Sequence, residues 1–224
     1  MNRRFVDRVV QTAGVAGHQA HSSVQSSISN SIVNDAINKS SMRSTFIIAA
    51  DDEGVAIIDQ HVAHERILFE QISEQLTSRA LESQRLLTPI VLELSPGAHQ
   101  TLLQHAAALA RLGFEIEDFG GTSLRMSAVP ALLDWAQSDQ ALRAVAGELE
   151  GVPAEAGLTE PLRRMAATMA CHAAVKANDP LTREKMQYLL DELRRTAHSS
   201  VCPHGRPVVL RLTRREIERN FERI

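Results

Sequence analysis

From about Thr45 onward, apolar residues fall into short alternating runs and 3.6-spaced stripes. Phe46–Ala50 and Val55–Asp59 read as two strands around the turn residues Asp51–Gly54, a β-hairpin. Asp59 then reads as the N-cap of a helix whose stripe runs through Leu68, Phe69, Ile72 and Leu76. Ile90–Leu94 is a further strand. Ser95-Pro96 pairs an N-cap with proline at the first helical position, predicting a helix through Leu102, Leu103, Ala106 and Leu109 that stops at Gly113. Phe114–Asp118 and Ser123–Val129 form a second hairpin around Gly120-Gly121, and Pro130–Leu149 is helical in pattern.

After a Gly- and Pro-containing loop to Leu158, Pro161 opens an Ala-rich helix running through Cys171 to Ala177, broken by Asn178-Asp179-Pro180. An amphipathic helix follows with Met186, Leu189, Leu190 and Leu193 at core spacing, then the loop Cys202–Pro207, the strand Val208–Leu212, and a helix opened by the capping box Thr213/Glu216. Residues 1–42 are rich in Ser, Asn, Gln and His without a sustained period, which reads as a disordered linker or tail. Residues 85–158 read as a compact β/α insertion with no chemistry-bearing cluster of its own, so the expected class is α/β (α+β) in two subdomains.

At 224 residues with 44% apolar residues, the chain has enough material for a core. No apolar stretch approaches the ~20 residues that span a bilayer, and Met1–Arg8 lacks the apolar centre of a signal peptide, so the expected compartment is the cytoplasm with no membrane partner. In that reducing setting Cys171 and Cys202 are better read as thiols or metal ligands than as a bridge. A net charge of −3 argues against a module that holds duplex DNA unaided, because phosphate neutralisation supplies most such affinity. No Gly-rich phosphate loop is present, so no ATP site is expected.

The densest chemistry lies at the first strand-to-helix junction. His61 and Glu65, four residues apart, share a helix face, and Asp59 at its mouth reaches the same volume. Cys202 and His204 flank a proline; the segment is expected to be extended, with the two side chains pointing the same way. Cys171 reads equally well as plain packing or as a ligand. Singly, Asp59 is only a cap and His61 only a helix histidine. Jointly, thiolate and imidazole favour zinc, whereas the carboxylates also accept Mn²⁺ or Mg²⁺. Six donors exceed one tetrahedral set, so either some are structural or two ions lie close together, an arrangement suited to phosphodiester attack. Glu70 lies about 140° round the helix from Glu65 and reads as an ion-pair partner of Arg66.

These residues carry a resemblance to the C-terminal domain of the MutL family of DNA mismatch repair proteins, in its endonuclease-bearing form. Asp59-Gln60-His61-Val62-Ala63-His64-Glu65, continued to Glu70, resembles the nuclease motif Asp-Gln-His-Ala, two residues, Glu, four residues, Glu, with Val62 in place of Ala. Ala170-Cys171-His172 is similar to Ala-Cys-Arg with His172 in the Arg place; Cys202–Pro207 matches Cys-Pro-His-Gly-Arg-Pro; Phe221-Glu222-Arg223 matches Phe-x-Arg. The resemblance runs from about Thr45 to Ile224.

It implies a homodimer, with a dimerisation subdomain made of residues 43–84 and 159–224, an inserted regulatory subdomain over 85–158, and nicking of a DNA strand. It implies metal binding by Asp59, His61, Glu65, Cys171, Cys202 and His204, with zinc bound and manganese or magnesium supporting the nicking, and Asp59, His61 and Glu65 as catalytic residues. Glu65, Cys202 and His204 are expected to hold one ion, while Asp59, His61 and Cys171 hold or orient a second. Gln84-Arg85-Leu86-Leu87-Thr88-Pro89 resembles the Gln-x-Leu-Leu-x-Pro motif for the replicative sliding clamp, with Gln84, Leu86, Leu87 and Pro89 as contacts; a plain strand entry with both leucines in the core is the alternative. Lys176, Arg206 and Arg223 are candidates for phosphate contact. Full-length members carry an N-terminal ATPase, of which this sequence shows nothing, and they meet the mismatch recognition protein as whole chains; a bacterial protein associated with the nucleoid when acting is expected. The competing reading is a non-catalytic dimerisation module with a structural zinc. A small-molecule zinc hydrolase would require a closed apolar pocket that the pattern does not supply.

Overall fold

The computed structural model describes residues 45–153, 159–176, 178–196 and 199–224. The expected tail, residues 1–42, lies outside them. The fold is α+β, helices with two three-stranded antiparallel sheets, which matches the class read from the sequence. By contacts the described residues divide into two compact units, residues 45–66 together with Val175–Ile224, and Ile67–Ala174. Residues 67–84 and 159–174 therefore pack with the inserted segment, whereas the sequence reading placed them with the dimerisation subdomain.

In the first unit, β1 (Phe46–Asp51), β2 (Gly54–Asp59) and β6 (Val209–Thr213) form a sheet in the order β1-β2-β6. The hairpin pairs Ile48 with Ile57 and Ala50 with Val55, and β2 pairs Val55 with Leu212 and Ile57 with Leu210. Residues paired across strands share a face. One face carries the buried Ile47, Ala49, Ala56 and Ile58; the other carries Ile48, Ala50, Val55, Ile57, Leu210 and Leu212, all apolar and only half-buried. Gly54 permits the close approach of β2 to β6: its φ is +151°, and a Cβ there would stand 2.1 Å from the Leu212 carbonyl oxygen. Helix α1 (Gln60–Ser78) leaves β2 directly, and its first turns bury Gln60, Val62, Ala63, Glu65 and Arg66. Helix α6 (Arg183–Arg195), capped by the Thr182 side chain, buries Leu189, Leu190 and Leu193; α7 (Arg214–Asn220) opens on the expected Thr213/Glu216 capping box.

In the second unit the sheet order is β3-β5-β4, from β3 (Ser83–Glu93), β4 (Glu115–Gly120) and β5 (Ser123–Pro130). Helices α2 (Pro96–Gln104), α3 (Ala106–Arg111), α4 (Ser138–Leu149) and α5 (Thr159–Ala173) complete it. Its core gathers Leu102, Leu109, Phe114, Leu124, Met126, Leu142, Leu149, Met165 and Met169. The Ser95 hydroxyl accepts from Ala98 N–H with Pro96 behind it, as the sequence predicts. Two expectations fail locally. β3 starts seven residues before Ile90, its register shifting between Arg85 and Ile90, where edge position and the shift accommodate Pro89. Residues 131–137 are not α-helical: the Asp134 carboxylate accepts from Ala136 N–H and caps a 3₁₀ turn, Trp135–Gln137, before α4 begins.

Candidate metal centre

The junction of β2 and α1 is held by backbone on both sides. Asp59 N–H donates to the Val208 carbonyl at 3.1 Å, and Gln60 N–H to that of Thr45 at 3.1 Å. Asp59 is the N-cap, its Oδ1 accepting from His61 N–H and Val62 N–H at 3.0 Å each. Four residues beyond His61, Glu65 is 0% exposed, while Cys202 is 2% exposed. Glu65, Cys202 and His204 each present a potential ligand atom, all within 4.8 Å of one another, and His61 brings a ring nitrogen within the same distance of Glu65. Four expected donors thus converge in one unit. Asp59 stands at the helix mouth but belongs to neither of these groupings. Cys171 lies in the second unit, half-buried in the last turn of α5; neither it nor Cys202 is in a disulfide.

The Cys202–Pro207 segment is a tight reversal, which corrects the expectation of an extended strip. Cys202 N–H donates to the Arg206 carbonyl at 2.9 Å, and Gly205 N–H to the Cys202 carbonyl at 2.9 Å. Gly205 sits at φ +81°, which lets the chain turn inside the bridge between Val201 and Pro207. The turn aims the thiol inward, where Cys202 Sγ accepts from Arg206 N–H at 3.4 Å. Glu65 in turn has two partners: His204 Nδ1 lies 2.5 Å from its Oε1, and the Arg206 guanidinium Nη2 lies 2.5 Å from its Oε2. A fully buried carboxyl group is costly unless partnered, and this double contact gives each of its oxygens a hydrogen bond.

His61 and His64 are fixed in different tautomers by one residue. The Val175 carbonyl can only accept, so His61 Nδ1, at 2.8 Å, carries the proton, and its Nε2 holds the lone pair. Val175 N–H can only donate, so His64 Nδ1, at 3.0 Å, is the acceptor. Burial, and secondarily the neighbouring His61, lowers the His64 pKa, which keeps the ring neutral in that role. The Gln60 amide donates to the Asp179 carbonyl at 2.8 Å and to that of Lys176 at 3.4 Å. The α5 helix accordingly ends at Ala173 rather than Ala177, because Val175 spends its backbone groups on two histidines. Sequence reasoning missed Gln60 and His64 as positioning residues; their adjacency to the motif was the available signal.

Of the remaining expected residues, Lys176 and Arg223 are exposed, Arg206 is half-exposed on Glu65, and Glu70 is half-buried on α1. On β3, Leu87 is 104% exposed and Gln84 and Pro89 are exposed, while Leu86 packs partly against the core of the second unit. A groove of about 310 Å³ in that unit is lined by Leu68, Ile72, Leu81 and Leu132 among others, and by none of the candidate ligands.

An α+β domain with a buried carboxylate and thiol and a partly exposed imidazole gathered at a strand-to-helix junction defines a candidate metal-binding class. The model of the MutL C-terminal dimerisation domain matches residues 40–181, and the chain belongs to that family. It is 43% identical over 183 residues to the DNA mismatch repair protein MutL of Koribacter versatilis, covering 82% of this chain and 28% of the relative. To MutL of Acidobacterium capsulatum it is 45% identical over 184 residues, covering 82% and 28%. To that of Geotalea uraniireducens it is 40% identical over 180 residues, covering 80% and 30%. The chain spans less than a third of the length of these curated relatives. Among the described residues no helix is long and apolar enough to cross a membrane.

Proposed function

We propose that the chain is the homodimeric, metal-dependent endonuclease domain of a MutL-type mismatch repair protein, nicking one DNA strand. The observation that carries this is the convergence of Glu65, Cys202 and His204 within 4.8 Å, with the first two buried and the His204 side chain 42% exposed. Sulfur, nitrogen and oxygen donors fit zinc, and three protein ligands with an open side fit a reacting rather than a closed site. His61 fits as a further ligand, because its proton is committed to the Val175 carbonyl and its Nε2 is left to bind, the arrangement usual for ligating histidines. Asp59 caps α1 and supplies negative charge at its mouth, and Cys171 is the remaining expected ligand. Glu65, Cys202 and His204 would hold one divalent ion, which when bound would supply Lewis-acid polarisation of the phosphodiester and offset its developing charge, with manganese or magnesium serving during nicking. Lys176 and Arg223, both exposed, are placed in this reading against DNA phosphates.

Homodimerisation is assigned to the apolar face of Ile48, Ala50, Val55, Ile57, Leu210 and Leu212, whose six half-buried side chains across three strands form the sort of patch that a partner covers. DNA delivery is assigned to the replicative sliding clamp, engaged by Gln84, Leu86, Leu87 and Pro89, because a fully exposed leucine in a strand has no packing role of its own. The mismatch recognition protein is met through the full-length chain, in the bacterial cytoplasm and at the nucleoid when acting. No ATP site is assigned.

The test is nicking of supercoiled plasmid with Mn²⁺ and loaded clamp, comparing wild type with Glu65→Ala and Cys202→Ser. The nuclease reading requires folded dimers that do not nick. The second reading, a dimerisation module with one structural zinc, is favoured by the burial of Glu65 and Cys202; under it both variants unfold or lose the dimer, and chelator alone lowers the melting temperature.

A further inference from the structure

Arg206 touches two of the three clustered donors at once. Its guanidinium Nη2 donates to Glu65 Oε2 at 2.5 Å, and its backbone N–H donates to Cys202 Sγ at 3.4 Å. Its carbonyl closes the turn by accepting from Cys202 N–H at 2.9 Å. The His204 bond uses the other Glu65 oxygen, Oε1, so the arginine and the imidazole do not compete for one acceptor. Glu65 is entirely buried, while the arginine reaches it from a half-exposed position.

We propose that Arg206 is a positioning residue for the candidate metal ligand Glu65 and not an arm that grips DNA phosphate; this rests on the metal reading above. A carboxylate with no access to water needs a charge-assisted hydrogen bond in place of solvent and a fixed donor to hold its plane. Arg206 supplies both from outside the donor set. Its Nη2–H occupies Oε2 and leaves Oε1 to His204, while its backbone N–H holds the Cys202 sulfur in place. Moving the guanidinium to a phosphate would strip the buried carboxylate of this partner, so the geometry favours the positioning role. Hydrogen-bond partners of this kind, one shell beyond the ligands, typically set metal affinity by 10–100-fold.

The experiment uses the purified full chain and its Arg206→Gln and Arg206→Lys variants, with zinc affinity from chelator competition and Co²⁺ as an optical probe of the Cys202 thiolate. Folding is checked by circular dichroism. Arg206→Gln is expected to weaken zinc binding by about 10–100-fold, with the thiolate-to-cobalt band still reached at higher cobalt. Arg206→Lys keeps the charge without the planar fork and is expected to lose only a few-fold. Salt dependence of DNA binding is expected to stay unchanged in both. Wild-type zinc affinity in a folded variant overturns the proposal, and so does a DNA-binding salt slope reduced by about one, the signature of a lost phosphate contact. If Arg206→Gln does not fold, the lysine variant decides on the same criterion. Failure of the wild type to take zinc or cobalt is a different result: it removes the metal reading itself, and this proposal with it.

Discussion

Asp59 combines two roles that substitution separates. Its Oδ1 accepts from two backbone N–H groups at 3.0 Å, which satisfies two of the unpaired donors of α1, and in the proposed function its charge also serves the metal site. Asparagine keeps the carbonyl oxygen and caps as well as aspartate, so Asp59→Asn loses only the interaction of a charge with the helix dipole, about 0.3–1 kcal/mol. For a chain of this size that is at most about 4 °C in melting temperature. Asp59→Ala loses the cap as well, about 0.5–2 kcal/mol more, and is expected to melt below the asparagine variant. Plasmid nicking with Mn²⁺ and loaded clamp then isolates the chemistry: Asp59→Asn is expected to be folded, dimeric and inactive. Nicking by Asp59→Asn equal to wild type would refute the catalytic role. An asparagine variant no more stable than the alanine variant would refute the cap argument.

Leu87→Ala removes a side chain that packs on nothing, so melting is expected to stay within the ±0.5 kcal/mol usual for surface changes while clamp affinity falls at least about fivefold; calorimetric titration with the clamp showing no loss excludes Leu87 as a contact. Ile57→Glu places a charge at the middle of the half-buried apolar sheet face and is expected to give monomers in sedimentation; an unchanged dimer moves the interface elsewhere. Glu160 accepts from Arg163 and Arg164, which hold its carboxyl down to about 2. A depressed folded-state pKa means that its stabilisation is fully present above the ordinary carboxylate range and is lost as pH falls toward about 2; an NMR titration midpoint near the ordinary value of 4.5 contradicts the pairing.

The elements most legible in the sequence are those whose signals are local. Ser95 before Pro96, Asp59 before His61 and Thr213 before Glu216 each place a side-chain acceptor within three residues of the donor it caps, and each cap forms. Both hairpins follow from alternation and turn residues. The Cys202–Arg206 reversal was illegible because it depends on a positive φ at one glycine between two prolines, whose local bias alone favours an extended chain. Helix α5 ends early for a reason 111 and 114 residues away in sequence, the two histidines that claim Val175. Donor types were legible from composition and spacing; which donors meet was not, because Glu65 and His204 are 139 residues apart and meet only through β6 pairing beside β2.

That pairing explains why the stretch from Asp59 to Arg206 needs residues that bind nothing. A ligand placed on a helix is only as well aimed as the helix start, and α1 starts where β2 ends, so its entry angle is set by four unrelated anchors. Val208 and Thr45 fix the backbone at Asp59 and Gln60; Gln60 and His64 grip the segment after α5 through Asp179 and Val175. Loss of the His64 acceptor frees Val175 N–H, and the carbonyl of that same residue sets the His61 tautomer. His64 therefore acts on His61 through the backbone groups of one residue, Val175. In His64→Phe, which keeps a planar ring but removes the acceptor, the His61 ring is expected to lose its fixed Nδ1–H state, visible as a mixture of tautomers in ¹⁵N NMR. A single tautomer retained in that variant would show that the Val175 carbonyl is held by the rest of the chain, and His64 would then be a packing residue only.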